Sequence, residues 1–231
     1  MKRFFGEKFK DRIIVRDNEF NHMKKVLRMQ EGDEVIANIN DENDYYCVIE
    51  KMDKNQAVLT IEEIKTCPAL PKKNIVLFQM LPKKEYLDNI IAKSVELGVN
   101  KIIPFTSEWT MIKDVREERI ATQIMTACKQ CGRSKLVEFE KPVKFESLEA
   151  TLKDFDLVLF AYEKEEEIFN PNILKGKENI AIIIGNEAGF SEKEAEKLKQ
   201  LCTSVSLGSR ILRCDTAVTA MLSLVGILSG N

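Results

Sequence analysis

The sequence NIAIIIGNEAGFSEKE, residues 179–194, is the stretch that decides the fold. Residues 180–184 form an apolar run of strand length, which is typical of a strand covered on both faces. Ser191 and Glu194 then form a capping box, in which a serine and a glutamate three residues later cap the start of a helix. The stretch therefore predicts a buried strand, a short loop and a helix.

Outward from this stretch, strand and helix patterns alternate as far as residue 228. The predicted strands cover residues 74–80, 101–105, 136–139, 156–161, 179–184 and 203–207. The predicted helices cover residues 84–97, 117–131, 145–152, 191–201 and 216–228. This alternation predicts an α/β fold with a parallel sheet. The apolar last helix suits a dimer interface and the core of the domain equally well.

Residues 1–66 have a different pattern, in which short β-branched and aromatic runs are separated by polar turns. The predicted strands cover residues 12–16, 34–39, 45–52 and 57–64, with a helical turn or two over 19–29. Regular hairpins of this kind predict a small β-barrel. Pro68 and Pro71 mark a linker, because proline neither joins a strand ladder nor continues a helix. The predicted domains are therefore 1–70 and 71–231.

Charge is balanced over the whole chain and uneven within it. The 231 residues include 35 Lys and Arg against 37 Asp and Glu, a formal net charge of -2, which excludes a uniformly basic coat for nucleic acid. Residues 1–30 carry nine basic side chains against four acidic ones, and residues 31–66 carry three against ten. The first segment indicates either an anion-seeking face or an unevenly charged surface.

The sequence also indicates where the protein works. No apolar run approaches the roughly 18 residues that a bilayer span needs. The first residues lack the apolar region of a secretory signal, and six scattered cysteines are typical of a reducing compartment. We therefore expect a cytoplasmic protein with no membrane partner.

Three loops that follow predicted strands are candidate ligand sites, since open parallel sheets bind ligands beyond the carboxyl ends of their strands. They follow residues 157–161, 180–184 and 203–207. Gly185 and Gly189 have neither the spacing of a dinucleotide fingerprint nor that of a P-loop, so a ligand loop and a tight turn are both open. Arg210 and Arg213 suit either an anion clamp or an exposed turn.

Metal and nucleophile chemistry find little support in the sequence. Cys128 and Cys131 form a C-x-x-C pair without a second pair at zinc spacing. His22 is the only histidine, and it belongs to the small domain, where a structural or RNA-contacting role suits it better than general-base catalysis. We therefore expect neither a metal site nor a hydrolase triad.

Several ordered motifs carry a family resemblance. They are RFF at 3–5, His22 with VLR at 26–28 and GD at 32–33, KSVELGV at 93–99 with IIP at 102–104 and SE at 107–108, Arg119, Ala127, Gln130, Gly132 and Arg133, GNEAGFS at 185–191, and LGSRILRCDTA at 207–217. In this order they resemble the RsmE family, the 16S ribosomal RNA uracil methyltransferases of the SPOUT superfamily, nearly end to end.

The resemblance has departures in two loops. Asn186 and Ala188 stand where the family usually has Pro and Gly, and Cys214 and Asp215 stand where Thr and Glu are usual. Asn and Ala still allow a tight turn if position 188 needs no positive φ. Aspartate at 215 keeps the carboxylate, so we expect the site to be intact.

The resemblance implies a PUA-like β-barrel for RNA over 1–70 and a SPOUT domain with a deep trefoil knot over 71–231. It implies a homodimer that binds S-adenosyl-L-methionine in the three loops and methylates position 3 of a uridine in 16S rRNA of the small ribosomal subunit. The implied cofactor-binding residues are Leu159, Phe160, Ala161, Ile184, Gly185, Asn186, Glu187, Gly189, Leu207, Gly208, Ile211 and Leu212.

The same reading assigns roles in catalysis and RNA binding. Arg213, with Arg210, is expected to stabilise negative charge on the uracil carbonyl oxygens, and Glu187 or Asp215 to assist proton removal. The expected RNA-binding residues are Arg3, Arg12, Arg16, His22, Lys25, Arg28 and Arg133. Three alternatives remain: methylation of another RNA such as tRNA, an inactive RNA-binding assembly module, and a dinucleotide-binding α/β protein that lacks the fingerprint glycines.

Overall fold

A parallel sheet organises the larger part of the protein, which we describe from a computed structural model covering residues 1–112 and 115–230. The chain divides into two compact units. The first comprises Met1–Leu70 and Met125–Leu136, and the second comprises Pro71–Ile124 and residues from Val137 onward. The segment Met125–Leu136 thus packs with residues that lie more than fifty positions earlier in the chain.

The first unit is a six-stranded sheet with strand order β1-β4-β5-β6-β3-β2. Its strands are β1 (Lys2–Phe5), β2 (Glu7–Phe9), β3 (Arg12–Arg16), β4 (Glu34–Asn38), β5 (Asn43–Met52) and β6 (Gln56–Thr66). Neighbouring strands are antiparallel except β1 and β4, which are parallel. Helix α1 (Asp17–Asn21) continues into a π-helical turn, His22–Val26.

Alternating side chains of these strands form the core of the first unit. Phe4, Ile13, Val35 and Leu59 are fully buried. Side chains of the segment Met125–Leu136 and of residues 19–41 join this segment to the rest of the first unit. Ser134 Oγ donates to the backbone carbonyl of Asp41 (2.7 Å), and Asn40 Oδ1 accepts from the backbone N–H of Leu136 (2.9 Å). Lys129 and Glu19 form a largely buried ion pair (2.5 Å).

The second unit is built on a seven-stranded sheet in which every pair is parallel, as the alternation of strand and helix predicts. Its path is β10-β8-β7-β12-β11-β13, and β9 pairs with β8. The strands are β7 (Asn74–Met80), β8 (Lys101–Thr106), β9 (Glu138–Phe139), β10 (Val143–Lys144), β11 (Leu157–Ala161), β12 (Asn179–Ile184) and β13 (Thr203–Val205).

Helices cover both faces of this sheet, which explains why β12 is apolar throughout. The helices are α2 (Lys84–Glu96), α3 (Glu117–Cys131), α4 (Leu148–Leu152), α5 (Glu192–Leu201) and α6 (Cys214–Leu228). Ala181 and Ile183 of β12 join the core that includes α4 and α5. Helices α2 and α6 pack together, and α6 contacts β12.

The last helix, α6, is buried along one face and exposed at its C-terminal end. Val218, Leu222 and Val225 are fully buried within the second unit. Ile227 and Leu228 at its end are 74% and 48% exposed. Of the two environments open from sequence, α6 therefore has the domain core along most of its length.

Candidate functional site

Three loops at the carboxyl ends of β11, β12 and β13 enclose a cleft, which we call the loop cleft. With the start of α6 they bound about 550 Å³, counted out to the open mouth. Its lining residues are Ala161, Tyr162, Glu163, Ile184, Gly185, Asn186, Gly189, Phe190, Ser206, Leu207, Gly208, Arg210, Leu212, Cys214 and Ala217. The sheet thus brings three separate loops to one place, where open parallel sheets bind ligands.

Backbone without side chains forms part of the cleft wall. An added Cβ at Gly185 would lie 2.9 Å from Cε2 of Phe190, so this position requires glycine. Gly208 has φ +107°, and around its Cβ position no described atom beyond its chain neighbours lies within 4 Å. The left-handed conformation favours glycine, and a side chain there would occupy free space beside the cleft. A flat ligand can therefore approach the backbone at Gly208 closely.

Side-chain hydrogen bonds fix the loop after β12. Nε2 of the buried Gln79 donates to the carbonyl of Gly185 (3.1 Å), and Nδ2 of Asn186 donates to the carbonyl of Leu81 (3.3 Å). Oδ1 of Asn186 accepts from the backbone N–H of Ala188 (2.9 Å), which makes an Asx turn. Asn186 thus supplies the tight turn by hydrogen bonding.

A group of stacked aromatic rings supports the cleft from below. Phe160 stacks on Tyr162 with ring centroids 5.2 Å apart, and it meets Phe190 edge-on at 5.0 Å. Tyr162 and Phe190 line the cleft, whereas Phe160 is fully buried beneath them. Aromatic pairs in these geometries hold one another in place, so this wall of the cleft is rigid.

The sequence and the fold are similar to those of known proteins. The family description "RNA methyltransferase domain" matches residues 68–226, and "RNA methyltransferase PUA domain" matches residues 15–62. The "Ribosomal RNA small subunit methyltransferase E" of Bacillus subtilis (strain 168) is 30% identical, with 97% of this chain and 96% of the relative covered. The chain belongs to the family of ribosomal RNA small subunit methyltransferase E.

Solved structures of methyltransferases agree with this assignment. A methyltransferase from Legionella pneumophila, in complex with its bound cofactor SAM, is 26% identical with a TM-score of 0.85, and 96% of each chain is covered. The ribosomal RNA small subunit methyltransferase E of Neisseria gonorrhoeae, bound to S-adenosyl methionine, has the same fold at 24% identity, with a TM-score of 0.89 and 99% and 98% coverage.

Eight of the twelve cofactor-binding residues expected from sequence line the loop cleft of this methyltransferase. They are Ala161, Ile184, Gly185, Asn186, Gly189, Leu207, Gly208 and Leu212. The other four lie elsewhere: the side chains of Leu159 and Phe160 are buried within the sheet, Ile211 is 85% exposed, and Glu187 lines a different cavity. The sequence reasoning missed Tyr162, Glu163, Phe190, Ser206, Cys214 and Ala217, of which the first two follow the end of β11 directly.

Of the four candidate catalytic residues, only Arg210 lines the loop cleft of this methyltransferase. Arg213 is the exposed N-cap residue of α6. Neither arginine forms a salt bridge with a carboxylate in the described part of the chain. Both guanidinium groups are therefore available to an anionic substrate.

The two carboxylates differ in how fully they are engaged. Asp215 accepts with Oδ2 from Asn89 Nδ2 (3.5 Å) and with Oδ1 from the N–H of Thr216 (3.0 Å). Glu187 accepts with Oε1 from the N–H of Lys83 (3.0 Å), and its Oε2 accepts no hydrogen bond from the described residues.

Burial, with a contribution from Glu187, raises the pKa of the Cys214 thiol to about 12, so this thiol stays protonated at neutral pH.

The residues expected to bind RNA in the first unit fall into two groups. Arg3 is half-buried and engaged by Asp44 and Asn38, and Arg133 is 3% exposed, where burial lowers the pKa of its guanidinium. The exposed ones are Arg16, His22, Lys25 and Arg28, of which Arg16 is paired to Glu7, and the half-buried Arg12 is paired to Glu50 and Asp11. The geometry therefore favours structural contacts for Arg3 and Arg133, and their expected contact with RNA stays a prediction.

Two properties concern the described residues as a whole. They contain no group of three or more His, Cys, Asp or Glu side chains placed to hold a metal ion. Their helices include none with the length and hydrophobicity of a membrane span.

Proposed function

We propose that this protein transfers a methyl group from S-adenosyl-L-methionine to the ring nitrogen at position 3 of a uridine in 16S rRNA. The observation that carries the proposal is the loop cleft, which is lined by Gly185 and Gly189 of the loop after β12 and by Gly208 and Arg210 of the loop after β13. Relatives named as small subunit rRNA methyltransferases, and one structure with bound SAM, support it.

The residues of the loop cleft fit this cofactor. The free space at Gly208 and the aromatic lining by Tyr162 and Phe190 suit a flat purine ring and its ribose. Glu163 borders the cleft with a carboxylate that suits the ammonium of the methionine part. S-adenosyl-L-methionine, when bound there, supplies an activated methyl group on a sulfonium.

The protein must remove a proton from N3 of the uracil, because that nitrogen is protonated at neutral pH. Glu187 is the better base of the two candidates, since its Oε2 accepts no hydrogen bond from a described residue while both oxygens of Asp215 do. The guanidinium groups of Arg210 and Arg213 stabilise the negative charge that develops on the uracil oxygens.

Methylation of small ribosomal subunits from a strain lacking this activity tests the proposal. We expect one uridine of 16S rRNA to gain 3-methyluridine, located by mass mapping of nuclease fragments, and no label in tRNA. Methyl label in tRNA with none in 16S rRNA would show that tRNA, and not 16S rRNA, is the substrate. A protein that binds no S-adenosylmethionine in calorimetry would instead be an RNA-binding assembly module.

Matched carboxamides test the base. We expect Glu187→Gln to lower the single-turnover rate by about 100-fold or more, as for loss of a general base, and Asp215→Asn to lower it far less. Both variants should bind S-adenosylhomocysteine normally. The reverse order of rates would assign the base to Asp215.

The proposal also covers RNA contact by the first unit, the topology of the second unit, the oligomeric state and the compartment. The first unit positions rRNA through phosphates with Arg12, Arg16, His22, Lys25 and Arg28, consistent with their surface location. The second unit contains the trefoil knot, and two copies form a homodimer, which the exposed Ile227 and Leu228 favour. The protein works in the cytoplasm, where small subunits are assembled.

A further inference from the structure

A second cavity is bordered by the loop after β12, and we call it the Trp109 cavity. It encloses about 490 Å³ out to its open mouth. Its apolar wall consists of Leu81, Pro82, Trp109, Met111 and Ile112, and its polar side includes Glu187. All of these residues belong to the second unit.

The Trp109 cavity and the loop cleft share one residue. Asn186 lines both, and its Nδ2 bond to the carbonyl of Leu81 fixes the loop to which it belongs. The two cavities therefore adjoin at Asn186. This arrangement is required of a methyl donor and its acceptor, which must come within contact distance.

The indole of Trp109 is held in a solvent-facing position. It is 43% exposed, and the turn that carries it is closed by two bonds between Ser107 and Thr110 (2.9 and 3.2 Å). The N–H of Glu108 also donates to Oε1 of Glu194 in α5 (3.1 Å). Because hydrogen bonds hold this turn, the exposed ring keeps a fixed position in which a base can stack on it.

The chemistry around the ring matches one kind of occupant. Met111 is 86% exposed and supplies an adaptable apolar contact beside the indole. The open oxygen of Glu187 accepts a hydrogen bond, as the N3–H of uracil requires, and the exposed Lys83 suits the phosphate of the same nucleotide. A uridine nucleotide offers a flat face, one N–H donor on its base and a phosphate, which match the indole, the Glu187 carboxylate and the Lys83 ammonium respectively.

We propose that the Trp109 cavity receives the extruded uracil base and that the indole is its stacking surface. The inference rests on the proposed function and names the place where the acceptor base binds. In this role Trp109 is a positioning residue, because it holds the ring while Glu187 meets the Watson–Crick edge.

The intrinsic fluorescence of the protein tests binding without any methyl transfer. Trp109 is the only tryptophan, so its emission reports this cavity alone. The probes are a short single-stranded RNA with one central uridine and the same RNA with an abasic site there, each added with S-adenosylhomocysteine. We expect the uridine RNA to quench the emission and the abasic RNA to leave it unchanged, although both carry the same phosphates.

Variants separate stacking from folding. We expect Trp109→Ala to weaken binding of the uridine RNA about 10-fold, as for loss of one base stack, and Trp109→Phe to recover most of it. Calorimetry with S-adenosylhomocysteine should give the wild-type affinity for both variants. Ile168→Ala, which removes another exposed apolar side chain of the second unit, should change neither affinity.

Three outcomes would overturn the base site. Equal quenching by both RNAs would mean that the ring senses phosphate binding only. Emission that follows protein concentration, together with a monomeric Trp109→Ala variant, would mean that a second copy covers the cavity. Unchanged RNA affinity in Trp109→Ala, in a preparation that methylates rRNA, would reject this site and leave the proposed function standing. Uridine-specific quenching in a protein that does not methylate rRNA would support this base site and reject the proposed function.

Discussion

At the residue scale, the loop cleft depends on a few positions with special backbone or bonding requirements. Gly185 lies against Phe190, Gly208 is left-handed, and Asn186 forms a turn. The glycines at 185 and 189 could be singled out from sequence because two glycines follow a strand. The bond from Asn186 to Leu81 could not, since it joins residues 105 positions apart.

Gly208→Ala should affect ligand binding more than folding. We expect a loss of about 1 kcal/mol in the free energy of unfolding from the left-handed φ, and a markedly weaker affinity for S-adenosylhomocysteine because the methyl group occupies the cleft. Gly176→Ala is the matched control, since Gly176 is also left-handed (φ +71°) with no described atom near its Cβ position, and it lies outside the cleft. Equal affinities for both variants would show that Gly208 does not border the ligand; calorimetry measures them.

At the element scale, helices and strands differ in how well sequence predicts them. β7, β12 and α3 have the predicted bounds, and the capping box of α5 is confirmed, because each pattern is long or chemically distinctive. β1, β2 and β10 were not predicted. They are two to four residues long and rich in charge, so pairing with neighbours, and not their own sequence, makes them strands.

The capping box should be worth a measurable part of the stability. We expect Ser191→Ala to lower the free energy of unfolding by about 1 kcal/mol, because the first turn of α5 loses its side-chain acceptor. Ser147→Ala at the start of α4 is the control, since Ser147 makes no capping bond with any described residue. Urea unfolding of both variants measures the difference, and equal losses would deny Ser191 its capping role.

Acid should weaken the contact between α5 and the loop after β11. The ion pair with Lys199 (2.9 Å) lowers the pKa of Glu165 from 4.5 to about 2, so its charge stabilises the fold above pH 4.5. This contribution is lost as the pH falls towards 2. We expect the stability difference between wild type and Glu165→Gln to shrink over that range.

Urea unfolding at several pH values measures this loss. Lys199→Met supplies the control background, because Glu165→Gln should then have much less pH-dependent effect. The same pH dependence with and without Lys199 would attribute the acid sensitivity to other groups.

At the scale of the whole molecule, the net charge of -2 hides a basic first segment whose exposed members we expect to contact rRNA. Lys25→Ala with Arg28→Ala should reduce the slope of log affinity against log salt by about 1.5, as for loss of two phosphate contacts. Lys153→Ala with Lys175→Ala, which removes two exposed charges of the second unit, is the control. Equal slopes in filter binding of an rRNA fragment would place the contacts elsewhere.

The whole-molecule features were the least accessible to pattern reasoning. The α/β class followed from alternation, and the family from ordered motifs, but neither reports which distant segments pack together. The assignment of Met125–Leu136 to the first unit depends on Ser134, Leu136 and Lys129 meeting residues near positions 19 and 41. Local sequence carries no signal for such contacts.

That distant segment sets an order of events during synthesis. When the ribosome has released only the first 70 residues, Glu19 has no Lys129 to pair with and the carbonyl of Asp41 has no Ser134. The first unit therefore becomes complete only after residue 136 has emerged, by which time β7 and β8 of the second unit are already available. A truncated chain ending near residue 70 is consequently an unfinished fold, and a minimal RNA-binding fragment must carry residues 125–136 with it.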